Sequence, residues 1–407
     1  MKVIIIGGGA SGMTAALCAA RLGHEVEILE GKDRIGKKIL QTGNGRCNLS
    51  NSDQSVLHYH GLYNEDISRA FVQSVFAKIT QSDMLSFFNG LGLEFRTRNG
   101  YQYPASEQAS AVLDCLRFAL IHEGVHVNCC AQVMKLRKEQ QGIIVHTKEQ
   151  TYQADRVIFA TGSKAGLQKG DVDGYAILRE CGHRLMGPIP ALVQLISDEK
   201  IFKPLSGIRV NAKIRLLDEN GTELCADTGE LQLTAYGLSG IPTLQISHLA
   251  SKYLTNGKKV CASIDYLPDL LDAACLDILK KRAADNGYKT ADQFLIGMFH
   301  KNLGQMLMKM SDISLSKQAS AFSETDLLKL CNCIKDMRVP LNGTKGFAQA
   351  QICAGGVLLD EIKDTLESKV MDGLYLCGEV LDVHGDCGGY NLQWAFISGM
   401  FAASNIS

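Results

Sequence analysis

Residues 2–30, KVIIIGGGASGMTAALCAARLGHEVEILE, decide how the rest of the chain is read. Val3 to Ile6 is a β-branched run suited to a buried parallel strand. Met13 to Leu22 is rich in Ala and Leu, which favour helix. Gly23 stops that helix, and Glu25 to Leu29 resumes as strand. Between strand and helix stand Gly7-x-Gly9-x-x-Gly12. The first glycine permits the sharp turn, the second lets backbone approach a pyrophosphate, and the third lets helix and strand close up. The helix, entered through Ala10 and Ser11, aims its leading N–H groups and positive dipole end at the phosphates. Glu30, followed by Gly31, closes the second strand where a carboxylate accepts hydrogen bonds from an adenosine ribose. A lone glycine triplet is weak evidence, but strand, turn, helix and acid in this order make a dinucleotide half-site. It leaves open whether the dinucleotide is NAD(P) or FAD.

Working outward, 407 residues exceed what one core usually holds, so two or three domains are expected. An apolar fraction of 46% and a charged fraction of 21% are ordinary for a soluble globular protein. The net charge of −1, without a dense Lys/Arg run, argues against nucleic acid as a partner. Fourteen irregularly spaced cysteines, with no Cys-x-x-Cys, read as reduced thiols in a cytoplasmic protein. Neither Cys129-Cys130 nor Cys331-Asn-Cys333 has a metal-ligand pattern, and His58-Tyr-His60 is too isolated for one, so no metal is expected. The uncharged run after Lys2 is broken at once by GGGASG. Neither a secretory leader nor membrane insertion follows from it.

Helices are expected over 66–90 and 105–123, and strands over 125–128, 131–138, 142–147 and 154–160. The last strand exits through Ala160-Thr161-Gly162, small residues that let chain pass close to a ligand. From Pro188 the pattern alternates with period two around a turn at Asn220-Gly221, which suggests an antiparallel sheet or barrel. Residues 267–336 read as helical. An apolar strand then returns over 372–380, and residues 392–404 form a closing helix.

The C-terminal segment GLYLCGEVLDVHGDCGGYNLQWAF argues for flavin over nicotinamide. Gly378 and Glu379 lie where a strand runs out, the place where ligands sit in open α/β sheets. Gly388 and Gly389 allow close backbone approach, and the N–H groups of Asn391, Leu392 and Gln393 open the last helix. Aimed at a flavin, that helix end would stabilise negative charge on the reduced ring.

GKKILQTGNGRCNLSN, YPASEQAS, PALVQL, GTKGFAQAQICAGGV and the C-terminal block resemble the serial motifs of the BaiN/YhiN-like flavoproteins, the aminoacetone-oxidase-family FAD-binding enzymes. The resemblance runs almost end to end. It implies an α/β fold: a discontinuous Rossmann-like, glutathione-reductase-type FAD domain with an inserted β-barrel-like domain and a small helical domain. The parts fall at 1–187 and 353–407 (FAD), 188–256 and 337–352 (barrel-like), and 257–336 (helical). By position, the resemblance places Gly7, Gly9, Ser11 and Gly12 at the pyrophosphate and Glu30 at the ribose. Lys37, Lys38, Gly43, Asn44, Arg46, Cys47 and Asn48 would line phosphates and flavin, and Val133 would meet the adenine. Ala160, Thr161 and Gly162 would pass beside the dinucleotide, with Glu379 and Gly389 to Gln393 on the ribityl chain and ring. Two departures, Tyr101 in place of a basic residue and Gln194 in place of proline, bear on the substrate rather than on FAD.

The implied activity is an NAD(P)H-driven reduction of a C=C bond conjugated to a carbonyl, in a bile-acid or steroid-like enone, by hydride from flavin N5. NAD(P)H would visit transiently, since only one glycine fingerprint exists. A flavin amine oxidase acting on an aminoacetone-like substrate with O₂, and a non-enzymatic flavin sensor or electron carrier, are the alternatives. His384, in the glycine-rich loop, and Tyr390 are the candidate proton or oxyanion donors. Oligomeric state is not legible. The stretch TGNGRCNLSN (42–51) carries one cysteine, so it reads as a flavin-cradling loop without a redox disulfide.

Overall fold

The computed structural model describes residues 1–167 and 173–407, apart from the side chains of Gly43 and Asn44. The chain divides into two compact units, Met1–Pro188 with Ile352–Ser407, and Ile189–Gln351. In the first, β1 (Lys2–Ile6) lies at the centre of a five-stranded parallel sheet. One side of it carries β2 (Glu25–Leu29) and then His126–Asn128; the other carries Arg156–Phe159 and then Leu374–Leu376. Val3, Ile4 and Ile5 are wholly buried, as a strand covered on both faces requires. The sheet order reverses between β1 and Arg156–Phe159, so their carboxyl ends flank the crevice where such sheets bind ligands.

α1 (Ala10–Arg21) crosses to β2, and the closing helix Tyr390–Ser404 packs along it. The two touch through backbone: a Cβ on Gly399 would fall 2.3 Å from the Ser11 carbonyl oxygen. Thr14 Oγ1 donates to the Phe396 carbonyl at 3.3 Å, which fixes the register of the pair.

Two elements of the first unit are divided where the sequence pattern reads one. The helix expected over 66–90 is two, Glu65–Phe76 and Gln81–Gly90. Thr80 begins the second with a capping box: Asp83 N–H donates to Thr80 Oγ1 at 3.2 Å and Thr80 N–H to the Asp83 carboxylate at 2.8 Å. The strand expected over 154–160 is likewise divided. Thr151–Ala154 pairs antiparallel with Gly142–Thr147, while Arg156–Phe159 joins the parallel sheet. Asp155 marks the change of sheet, its carboxylate accepting the Lys2 N–H at 2.7 Å.

The second unit is built on the hairpin Arg209–Asp218 and Glu223–Thr234, turning where Asn220-Gly221 is expected. The Asp218 carboxylate accepts the N–H groups of Asn220 and Thr222 and so shapes the turn. Its sheet has seven strands, with Met337–Leu341 at one edge and Gly343–Thr344 at the other. Only Asn342 separates those edges, so one continuous stretch joins them and the sheet closes on itself like a barrel. Helices Asp272–Asp285, Lys301–Met310 and Glu324–Lys335 share its hydrophobic core. No helix among the described residues is long and apolar enough to cross a membrane.

Candidate functional site

At the crevice, Gly7 has φ +102°, and a Cβ there would lie 2.5 Å from the Ala160 carbonyl oxygen. A Cβ on Gly12 would meet Gly7 O at 1.9 Å, so α1 sits directly against the turn. Gly9 behaves differently: a Cβ there would have no protein atom within 4 Å, and no side chain caps the helix it opens. The turn is tight where protein meets protein and open where a ligand would approach. Each Glu30 oxygen accepts one backbone donor, Oε2 from Gly8 at 2.7 Å and Oε1 from Lys32 at 2.8 Å. A carboxylate has about four acceptor positions, so ribose hydroxyls still find room. Residues 131–133 run beside this acid: Ala131 N–H donates to Glu30 O at 2.9 Å, and Val133 is buried.

Across the crevice, Glu379 follows the strand Leu374–Leu376. Its Oε1 accepts from Ser163 Oγ at 2.6 Å and Cys353 N–H at 2.9 Å, while Oε2 faces Lys38 Nζ at 3.2 Å. A Cβ on Gly162 would lie 3.8 Å from Oε2, so Thr161-Gly162 passes beside this carboxylate. Gly378 is pinned to the closing helix from both sides, its N–H to Ser398 Oγ at 2.9 Å and its carbonyl from Trp394 Nε1 at 3.1 Å. Lys37 is paired with Asp33, and the half-exposed Arg46 faces Glu107 at 3.9 Å. Asn48 Oδ1 is buried without a protein donor, which is the kind of vacancy in hydrogen bonding that a ligand or water fills.

The stretch 42–51 opens as a 3₁₀ turn, Thr42–Gly45; the side chains of Gly43 and Asn44 lie outside the described residues. Cys47 is wholly buried, and burial pushes its thiol up to about 11, so it stays protonated. Ser50 and Asn51 end the stretch against the start of the closing helix. Gly389 there has φ +99°, and a Cβ on it would lie 2.6 Å from Ser50 O. Tyr101 packs at the same place, 3.2 Å from a Cβ on Gly388. No side chain caps this helix, so the N–H groups of Tyr390, Asn391 and Leu392 lead it. Gln393 differs from the expectation of a leading N–H group: its N–H bonds Gly389 O at 2.9 Å, and its buried side chain joins Ser50 and Gln54. It supports the helix end from within.

His384 is buried and pairs by backbone with His60. Its ring centroid lies 5.5 Å from that of His60, in the interior of the first unit. Tyr390 stacks on His58, with ring centroids 4.4 Å apart and planes 18° from parallel. Burial, reinforced by Asp53 and Asp386, holds its phenol well above the ordinary value of 10, so the hydroxyl keeps its proton.

Sequence reading missed the group that links these residues. His58 Nδ1 meets Asp386 Oδ2 at 2.9 Å and Nε2 meets Asp53 Oδ2 at 3.0 Å. His60 Nε2 meets Asp386 Oδ1 at 3.0 Å and Nδ1 meets Glu65 Oε1 at 2.6 Å. In the sequence, His58-Tyr-His60 is set aside as too isolated for a metal site, and nothing local ties residue 58 to residue 386. Among the described residues no His/Cys/Asp/Glu group has an arrangement suited to a metal ion. All fourteen cysteines are free thiols.

A parallel sheet with a reversal of strand order, a phosphate-type turn and acids at two strand exits make the first unit a Rossmann-like dinucleotide-binding domain. The chain belongs to the HI0933-like family: the profile described as the HI0933-like protein Rossmann domain matches residues 1–405. The chain is 42% identical over 406 residues to the 3-dehydro-bile acid delta(4,6)-reductase of Clostridium scindens, covering 98% of each protein. It is 29% identical over 409 residues to the ribosomal RNA dihydrouridine synthase of Escherichia coli, covering 99% of this chain and 97% of that one. Among solved structures, the 3-ketosteroid-delta4-(5alpha)-dehydrogenase of Rhodococcus jostii RHA1 shares the fold. Its TM-score is 0.52 at 14% identity, over 100% of this chain and 96% of that one.

Proposed function

We propose that this protein is an FAD-dependent, NAD(P)H-driven reductase of a C=C bond conjugated to a carbonyl, acting on a steroid- or bile-acid-like enone. The observation that carries this reading is the 42% identity, over 98% of both chains, to a protein named as a bile-acid delta(4,6)-reductase. The relatives named for dihydrouridine synthesis point to the same bond chemistry, since dihydrouridine is uridine whose carbonyl-conjugated C5=C6 bond has been saturated.

The residues present suit FAD. The space beyond Gly9, the donor-less Asn48 Oδ1 and the uncapped end of the closing helix are the observations that favour it. Gly7 to Gly12 would hold the pyrophosphate, Glu30 the adenosine ribose and Val133 the adenine. Lys38, Asn48, Thr161, Gly162 and Glu379 would line the middle of the dinucleotide, and Gly389 to Leu392 the ring. FAD, when bound, supplies hydride transfer, and the protein has to bind, orient and tune it. The leading N–H groups at Tyr390 to Leu392 favour negative charge there. Ser163 and the Cys353 N–H hold the Glu379 carboxylate in one orientation. Tyr390, kept protonated, is available to donate a hydrogen bond to a carbonyl oxygen.

A second reading, reduction of a uridine base in RNA, is favoured by the full-length match to the two dihydrouridine synthases. The net charge of −1 and the lack of a dense basic run weigh against it. Anaerobic reduction of the purified yellow protein by NADH or NADPH, then reoxidation by a 3-oxo-Δ4 steroid or a ribosomal RNA fragment, beside incubation of the oxidised protein with a small amine and O₂, separates the cases. Enone saturation is expected. Turnover confined to RNA would favour the second reading, and amine turnover with O₂ uptake alone would make the protein an oxidase.

A further inference from the structure

Five side chains form an unbroken series, Asp53–His58–Asp386–His60–Glu65, whose four links measure 3.0, 2.9, 3.0 and 2.6 Å. The inner members are covered: side-chain exposure is 30% for His58, 20% for Asp386 and 15% for His60. The end carboxylates reach solvent, at 58% for Asp53 and 48% for Glu65. Each imidazole has a carboxylate on both nitrogens. A neutral ring carries one N–H and satisfies one of them, so each ring is built to take up a second proton.

The series is fastened to the start of the closing helix. Tyr390 lies stacked on His58, and Tyr59 Oη donates to Tyr390 O at 3.2 Å. Asp386 N–H donates to His58 O at 3.0 Å. Asn391 Nδ2 bonds the carbonyls of Gly385 at 2.7 Å and Asp386 at 3.3 Å. Arg69 faces Glu65 at the far end, His384 lies against His60, and Tyr101 faces Tyr390 across Gly388.

We propose that His58, Asp386 and His60 form a proton relay that takes up one proton when negative charge arrives at the N-terminal end of the closing helix, and returns it during substrate reduction. The proposal rests on the reading that FAD binds at that helix end. A reduced nicotinamide loses a hydride, two electrons and one proton, and becomes oxidised. The charge delivered to the helix end draws a second proton from solvent, through Asp53 or Glu65, onto an imidazole nitrogen. When the hydride passes to one carbon of the substrate C=C bond, the charge at the helix end is lost, the relay's proton leaves through Asp53 or Glu65, and the neighbouring carbon takes one proton from solvent. The double bond becomes CH–CH, and the relay returns to its starting state. Two further observations suit this role. Burial opposes charge on His58 and His60, yet their carboxylate partners outweigh it and raise both above the ordinary 6.5. Burial likewise opposes charge on Asp386, and the two histidines outweigh it, holding its carboxyl below 3.8.

These are positioning residues acting through the helix end, so the decisive reading is a potential. The FAD midpoint potential of the holoprotein would be measured by dithionite titration between about pH 7 and 9, for wild type, Asp386→Asn and the double variant His58→Gln/His60→Gln. One extra proton per two electrons steepens the slope by about 30 mV per pH unit, a tenfold change for a two-electron couple. The wild type is expected to show that steeper slope and both variants to lose it. Equal slopes in all three, with FAD bound, overturn the relay and leave the FAD reading intact. A protein that binds no FAD overturns both. If Asp386→Asn does not fold, the histidine double variant decides alone. If neither variant folds, the wild-type slope decides, since the shallower one-proton value overturns the relay.

Discussion

Ser163 Oγ donates to Glu379 Oε1 at 2.6 Å across 216 residues of sequence, tying the exit of one central strand to the exit of its neighbour. Lys38 and the Cys353 N–H complete the arrangement around one carboxylate. Glu379→Gln keeps the shape and removes the charge. A hydrogen bond to a charged group contributes about 1.5–3 kcal/mol, so FAD should dissociate with roughly tenfold or more higher Kd. Ser163→Ala should cost less, because Cys353 and Lys38 still hold the carboxylate. Flavin fluorescence on dilution measures both, and an unchanged affinity in Glu379→Gln would remove this residue from the site.

Gly9 and Gly389 should respond in opposite ways to alanine. At Gly9 the new methyl enters open space, so the flavin-free protein should lose about 1 kcal/mol or less, the usual N-cap range. Its FAD affinity should nevertheless fall at least about tenfold, because the methyl occupies the ligand's approach. At Gly389 the methyl meets Ser50 backbone and the positive φ is strained, at a cost of about 1–3 kcal/mol before any clash. Its Tm should drop with or without FAD. Thermal melts of both forms distinguish the two.

The two-histidine series predicts a stability window in pH. His58 and His60 are raised above 6.5 in the folded protein, so their contribution is full below 6.5 and lost as pH rises through their folded values. Asp386 is depressed below 3.8, so its contribution is full above 3.8 and lost as pH falls through its folded value. Asp386→Asn should therefore flatten urea-unfolding stability on both limbs. Parallel limbs in wild type and variant would show that the series is not coupled to folding.

Thr80→Ala should destabilise by about 1 kcal/mol through loss of the capping box, with FAD affinity unaffected. Thr80→Ser should restore most of the loss. The readout is chemical denaturation at constant ionic strength.

Much of this molecule was legible from local pattern. β1, α1, β2 and Glu30 follow from residue order alone, because a phosphate-type turn is a local device. The hairpin at Asn220-Gly221 was equally plain. The break at Thr80 was hidden because the apolar spacing continues across it, and only the Thr80–Asp83 exchange marks the new start. Asp155 changes sheets within an apolar run that reads as one strand. The series from Asp53 to Glu65 was illegible for a different reason. Its keystone, Asp386, lies more than three hundred residues away, and an aspartate in a glycine-rich loop carries no signal of its partners. Gln393 shows the converse: proximity to the helix start suggested a leading N–H group, whereas that N–H bonds Gly389 O and the side chain also holds Ser50 and Gln54.

The contact between Thr14 and Phe396 spans 382 residues. During synthesis at about 5–20 residues per second, the apolar face of α1 stays uncovered for roughly 20–80 s after it emerges. Local pairing of β1 with β2 can proceed in that interval, but the crevice acquires its second wall only when the closing helix arrives. A newly made chain should therefore rely on chaperones for most of its translation, and capture of the cofactor belongs among its last maturation events.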